Sequence, residues 1–261
     1  MLSKSRIKHI TSLKVKKFRD EHNQFIAEGE KLVMDLAAGK FTMAGIYASP
    51  EWIDSNTGLI RSKSAPVFET SLPEMTRITA LSSPSPVLAV INIPDPVFTI
   101  SPSHDFTKSL SLALDDIRDP GNLGTIIRIA DWFGIENILC SESCVDIYNP
   151  KVVQASMGSI ARVNMVSCNL PEKLAALPGC PVYGAFLEGD SIFTQTFDDH
   201  GIIVIGNESH GISPELVPFI TRKLFIPSFG SSESGKAESL NASIATAIIC
   251  AEFRRNQQKI Q

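Results

Sequence analysis

Three short polar stretches carry the residues in this sequence whose types could do chemistry, and each directly follows an apolar run. The first leaves Leu110–Leu114 and extends from Asp115 to Arg128, with Asn122 and Gly124 between them. The second leaves Ile202–Ile205 and runs from Gly206 to Gly211, with Asn207 and Glu208 inside it. The third leaves Leu224–Ile226 at Pro227, passes through a Gly/Ser-rich stretch from Ser228 to Glu238, and reaches Ser239, Leu240, Asn241 and Ser243. A loop of that length between two apolar elements is usually functional or disordered. Ser239 has the residue type of an N-cap, which would turn the backbone N–H groups of 240–242 toward the loop. Such a helix start suits a polar or anionic ligand; the plainer reading is a surface turn ahead of a core helix. Arg128 stands four positions after Gly124 on one helical face. Helical side chains lean toward the N-terminus, so the guanidinium can reach back over a residue that has no side chain to obstruct it. Its plainer reading is a surface salt bridge. Asn122, Glu208, Ser239 and Asn241 could equally be caps at element ends, and Ile226 and Leu240 could be core residues.

The elements that must position these residues follow from periodicity. Buried strands are expected at Leu110–Leu114, Asn137–Cys140, Ala161–Val166, Val182–Phe186, Ile202–Ile205 and Leu224–Ile226, with helices between them and a closing helix over Leu240–Arg255. Six such strands form a mostly parallel sheet covered on both faces, and ligands in such sheets bind beyond the carboxyl ends of the strands. The first hundred residues also alternate strand and helix, as in a smaller α/β unit. Pro and Ser crowd the segment between the halves. The expected division is therefore a domain at 1–100, a linker at 101–107 and a second domain at 108–261.

Composition narrows the class. The chain has 261 residues, 43% of them hydrophobic and 20% charged, as in a soluble globular protein of one or two domains. No segment approaches the eighteen or so apolar residues of a membrane span, and the first residues lack the apolar core of a secretory signal. Five cysteines, an odd number without zinc-ribbon spacing, point to reduced thiols and a cytoplasmic setting. Net charge is −4, but Lys4, Arg6, Lys8, Lys14, Lys16, Lys17 and Arg19 all precede the first acid, Asp20. That basic arm suits phosphate contact, or else forms a solvated helix face. The dinucleotide fingerprint G-x-G-x-x-G and the phosphate-binding P-loop are both absent, which disfavours an NAD enzyme or a nucleoside triphosphatase.

Together the three stretches resemble the motifs of the SpoU (TrmH-like) family of RNA ribose methyltransferases, within the SPOUT superfamily. The first is Asn122-x-Gly124-x-x-x-Arg128; the second is a strand followed by Gly206, Asn207 and Glu208; the third is Ile226-Pro227, a loop, then Ser239-Leu240-Asn241-x-Ser243. All three fall in order within residues 110–255, and residues 1–100 look like the family's auxiliary RNA-binding domain. Ser209 and His210 depart from the commoner family pattern, and the loop before Ser239 is longer than usual. The resemblance implies an α/β fold whose six-stranded, mostly parallel C-terminal sheet contains a deep trefoil knot, which strand counting could not reveal.

It also implies chemistry: S-adenosylmethionine gives a methyl group to a ribose 2′-hydroxyl of rRNA or tRNA, with no metal. Backbone groups of Gly206, Ile226 and Leu240 would hold the donor. Arg128, Asn122, Glu208, Ser239 and Asn241 would form the catalytic set. A guanidinium gives up its proton reluctantly, so Arg128 is read as a phosphate clamp that also stabilises the developing alkoxide, with at most transient base character. The resemblance further implies a homodimer through the C-terminal domain. The alternatives are a catalytically inactive RNA-binding protein on the same fold and a metabolic enzyme binding a small anion.

Overall fold

The computed structural model describes residues 1–58, 60, 65–94, 105–230 and 238–258. By its internal packing the chain divides into two compact units. One comprises Met1–Phe98 with Asp146–Arg162, and the other Thr99–Val145 with Val163–Gln261. Residues 101–104 of the expected linker lie outside the described residues.

The first unit is built on a four-stranded sheet. Its elements are α1 (Lys4–Ser12), α2 (Lys16–His22), β1 (Gln24–Glu28), α3 (Glu30–Ala38), β2 (Met43–Ala48), α4 (Pro50–Ser55), β3 (Val67–Glu69), α5 (Leu72–Ile78) and β4 (Val87–Asn92). The spatial order is β1-β4-β2-β3, with β4 antiparallel to both neighbours and β2 parallel to β3. Ile7, Ile10 and Leu13 from the N-terminal residues join Ile26, Tyr47, Leu88 and Val90 from the sheet in one core. The segment 146–162 contributes α7 (Pro150–Ala155). It is tied to this unit by the Tyr148 ring, 4.8 Å from that of Phe25.

One member of the basic arm belongs to that packing. Arg19 is only 2% exposed. Its guanidinium donates to the Asp146 carboxylate (Nε, 2.8 Å) and to the Leu13 carbonyl (Nη1, 2.8 Å). Removing one partner from such a pair strands a buried charge, so Arg19 is structural and not a phosphate ligand. Lys4, Lys8, Lys14, Lys16 and Lys17 are exposed.

The second unit is a parallel sheet. Its strands are β5 (Leu110–Leu114), β6 (Asn137–Ser141), β7 (Asn164–Cys168), β8 (Val182–Phe186), β9 (Asp190–Ser191), β10 (Gly201–Ile205) and β11 (Arg222–Phe225). They are ordered β7-β6-β5-β10-β8-β11-β9, with every pairing parallel. The sheet therefore has seven strands and not six. The additional one, β9, is two residues long and too short to leave a periodic signal. Leu112, Leu114, Ile203 and Val204 are fully buried, as expected of parallel strands covered on both faces. Helices α6 (Pro120–Trp132), α8 (Leu170–Ala175) and α9 (Ala242–Gln258) complete the unit. Among the described residues, no helix is long and apolar enough to cross a membrane.

Candidate active site

Each of the three polar stretches leaves the carboxyl end of its strand. After β5 the chain turns at Asp116, whose φ is +54°; this is the left-handed region that Asp and Asn tolerate better than other side chains. It then enters α6 with Asp119 as N-cap and Pro120 in the first turn. The Asp119 carboxylate accepts the backbone N–H of Asn122 at 2.8 Å. Asn122 is thus not a cap but a first-turn residue, and its side chain is left for other work. The signal for this was the order Asp119-Pro120, a cap residue directly ahead of a proline suited to the first helical position.

After β10, residues 207–211 close on themselves. The Asn207 N–H donates to the Gly211 carbonyl at 3.0 Å and the Gly211 N–H donates to the Asn207 carbonyl at 2.9 Å. Gly206 is what permits this: a Cβ there would sit 2.2 Å from the Gly211 carbonyl carbon and 2.4 Å from the Ile212 nitrogen. The Asn207 amide donates to the Asp116 carbonyl at 2.8 Å, and Asp115 accepts the Ser213 N–H at 2.7 Å. These two bonds clamp the second exit to the first.

The closing helix α9 begins at Ala242, and its cap is Asn241 rather than Ser239. The Asn241 Oδ1 accepts from the Ser243 N–H (3.0 Å), the Ser243 hydroxyl (2.6 Å) and the Ile244 N–H (3.3 Å). Both residues are good cap formers; the deciding fact is that the Asn241 amide has a second bond to make. With Oδ1 occupied, its Nδ2 donates to the Asn122 Oδ1 at 2.9 Å. That leaves the Asn122 Nδ2 as a donor, and it meets Glu208 Oε1 at 2.5 Å. One chain of hydrogen bonds, Asn241 to Asn122 to Glu208, therefore joins all three exits and fixes the direction of both amides.

Helices α6 and α9 run parallel. Their starts are tied by Asn122 and Asn241. Their far ends are tied by Arg254, which donates to the Phe133 carbonyl (Nε, 2.7 Å) and the Gly134 carbonyl (Nη2, 3.0 Å). Two helix N-termini with their partial positive charge thus converge where the Glu208 carboxylate sits. Arg128 lies nearly two turns beyond Asn122 along α6, exposed, and makes no hydrogen bond or ion pair among the described residues. Ser239 and Leu240 are exposed ahead of the cap, and neither joins the network among the described residues. Ile226 is partly buried just beyond β11. The loop 231–237 lies outside the described residues. No group of three or more His, Cys, Asp or Glu side chains is arranged to hold a metal ion among the described residues.

A second cluster lies at the carboxyl ends of β5 and β6. The Cys144 Sγ accepts the Ile117 N–H at 3.3 Å and donates to the Leu114 carbonyl at 3.2 Å. The thiol pKa is lowered to about 7, chiefly by the hydrogen bond from Cys140 and against the effect of burial. Cys140 is pushed the other way by the same bond and by complete burial.

This is an α/β protein with a parallel sheet, whose polar site is assembled at the carboxyl ends of three strands and at the joint start of two parallel helices. Residues 109–251 match the SpoU rRNA Methylase family and residues 4–89 match an MRM3-like substrate binding domain. The chain belongs to the SpoU family. It is 28% identical over 255 residues to the 23S rRNA (guanosine(2553)-2′-O)-methyltransferase RlmP of Bacillus subtilis, covering 95% of this chain and 96% of that protein. Among solved structures, a TrmH-family protein from Porphyromonas gingivalis superposes with a TM-score of 0.84 at 38% identity, covering 98% of this chain and 99% of that one. An AdoMet-bound rRNA methyltransferase from Sinorhizobium meliloti gives 0.83 at 29% identity, covering 98% and 96%.

The residues present fit that donor. The Glu208 carboxylate, exposed at the joint start of α6 and α9, suits a cationic sulfonium.

Proposed function

We propose that this chain is an S-adenosylmethionine-dependent methyltransferase that modifies a ribose 2′-hydroxyl of ribosomal RNA. The observation that carries the reading is the hydrogen-bond chain Asn241–Asn122–Glu208, which locks three SpoU-type motifs at one point. When bound, the donor supplies a methyl group on a sulfonium centre and needs no metal to activate it. Backbone groups of Gly206, Ile226 and Leu240 hold it, and Asn122, Glu208, Ser239 and Asn241 keep donor and ribose aligned. Arg128 clamps the phosphate next to the target ribose and stabilises the developing alkoxide. The complete network argues against an inactive RNA-binding relative of the same fold.

Residues 1–100 recruit the RNA and 108–261 carry the chemistry in this reading, with the C-terminal segment threaded through an earlier loop in a deep trefoil knot. Large apolar groups left outside on the two site helices, Trp132 at 85% exposure on α6 and Ile244 at 51% on α9, support a homodimer formed through the second domain. All five cysteines are free thiols, which fits a reducing, cytoplasmic compartment.

Methyl transfer from tritiated S-adenosylmethionine to in-vitro-transcribed rRNA, followed by mapping of ribose methylation, tests the function. Label at a single 2′-oxygen is the expected result. Donor binding by calorimetry without methylation of any rRNA would overturn the assignment. Light scattering at micromolar concentration should give twice the chain mass, and a monomer would remove the dimer from the proposal.

A further inference from the structure

The first unit holds a groove of about 430 Å³ between α1 and the sheet, well apart in sequence from every motif above. Its chemistry is not that of a surface packed for stability alone. The rings of Tyr47 and Phe68 stack at 5.0 Å with 23° between their planes. The Arg6 guanidinium carbon lies 3.8 Å from the Phe68 ring centroid. Gly45 stands two residues before Tyr47 on the same face of β2, so no side chain fills the space beside that ring. Along the groove, His9 Nε2 and Gln24 Oε1 are hydrogen-bonded at 2.8 Å, and the Gln24 amide donates onward to Asn92 at 2.9 Å.

Tyr47 is the telling residue. Its ring is packed, the residue being only 5% exposed, while its hydroxyl makes no hydrogen bond among the described residues and lines the groove. Burial raises its pKa, outweighing the opposing influence of Arg6, so it remains a neutral donor.

We propose that this groove binds one unpaired nucleobase of the RNA substrate, stacked against the Arg6–Phe68 pair and hydrogen-bonded by the Tyr47 hydroxyl. The inference rests on the RNA methyltransferase reading and adds to it a particular contact. Single-stranded RNA is recognised by stacking of splayed bases on aromatic rings and guanidinium planes. The volume lies in the range of small-ligand pockets, roughly 300–1,000 Å³. The exposed Lys4 and Lys8 on the same helix supply charge for the flanking phosphates.

The test uses the full chain and in-vitro-transcribed rRNA, cross-linked at 254 nm and digested for peptide mass spectrometry, with affinity read by fluorescence anisotropy. A nucleotide adduct on the peptide containing Tyr47 or Phe68 is expected. Tyr47→Phe and Arg6→Gln should each weaken RNA binding by roughly five- to tenfold while leaving S-adenosylmethionine affinity unchanged. Both substitutions are small, and Arg6 is exposed, so the second variant stands even where the first shifts the melting temperature. Wild-type RNA affinity in both variants would overturn the groove and leave the RNA methyltransferase reading intact. No RNA binding by the unaltered protein, with donor binding preserved, would overturn both.

Discussion

Asn122 and Asn241 are 119 residues apart in the chain and joined by a single 2.9 Å bond from the Asn241 Nδ2 to the Asn122 Oδ1. Because the Asn241 Oδ1 is committed to capping α9, this bond has one possible direction, and it forces Asn122 to donate to Glu208. The three side chains therefore act as a unit whose polarity is set at the helix cap.

That polarity makes the effects of two near-isosteric changes unequal. Glu208→Gln keeps an oxygen that can accept from Asn122, and the network survives. Asn122→Asp replaces the donor with a second carboxylate facing Glu208, which is repulsive at hydrogen-bond distance. The expected result is a modest loss of methylation for Glu208→Gln and a loss of at least about tenfold for Asn122→Asp, corresponding to roughly 1.4 kcal/mol. Equal rates for the two variants would show that the directionality has no catalytic weight.

Gly206→Ala should be a stability mutant before it is a binding mutant. The added Cβ meets backbone atoms of Gly211 and Ile212 at 2.2–2.4 Å, and backbone cannot step aside as a side-chain tip can. Opening the 207–211 turn would destabilise the fold by about 1–3 kcal/mol, the usual scale of forced overpacking. Thermal denaturation should show a lowered midpoint without ligand; an unchanged midpoint would mean the turn opens freely.

The sequence carried the motifs and the parallel sheet because apolar runs ending in Asn, Gly and Glu are local signals. What it did not carry depends on distant partners. Ser239 and Asn241 are both cap formers, and only the bond to Asn122, far upstream, selects Asn241. Arg19 has the same residue type as its exposed basic neighbours, and its burial is decided by Asp146, 127 positions away. Asp119 was legible, since a cap residue before a proline is itself a local pattern. The two residues of β9 owe their assignment to pairing with β11, which no period of two residues can announce.

Cys144 should be the reactive thiol of the folded protein. Its pKa near 7 lies below the ordinary value of 9.0, and the thiolate is the nucleophile. As pH rises, its alkylation by iodoacetamide should climb through about pH 7 and level off by about pH 8. In the urea-unfolded chain the same rise should be displaced toward the ordinary thiol range. Cys140 and Cys250 should stay unmodified in the folded state, since burial raises both, Cys250 to about 12. Peptide mass spectrometry across a pH series reads this directly. A folded-state midpoint near 9 would show that the bond from Cys140 does not hold in solution.

The exposed lysines of the N-terminal residues should govern salt dependence. Changing Lys14, Lys16 and Lys17 to Ala removes up to three phosphate contacts, and each contact contributes a slope of about 0.7–0.9 in log affinity against log salt. RNA binding should weaken and its salt dependence flatten, with donor affinity unchanged. Arg19→Ala should behave otherwise, lowering the melting temperature because it strands Asp146. A triple Lys variant with the wild-type salt slope would place the RNA elsewhere on the unit.

Arg128 separates binding from chemistry. It is exposed, stands nearly two turns beyond Asn122 on α6, and makes no hydrogen bond to Asn122, Glu208 or Asn241 among the described residues. Its removal should therefore leave the network, the fold and donor binding intact. A guanidinium aimed at the phosphate beside the reacting ribose contributes most when negative charge develops on the 2′-oxygen. Losing one such transition-state donor costs about a hundredfold or more in rate. Single-turnover methylation at saturating RNA isolates that step from recruitment. Arg128→Ala should be slow there, and Arg128→Lys should recover part of the rate by restoring charge without the two-pronged geometry. If Arg128→Ala reacts at the wild-type rate once RNA is saturating, the residue serves binding alone. If the triple Lys variant is the slow one instead, the N-terminal residues shape the reacting geometry and the division between recruiting and catalytic halves fails.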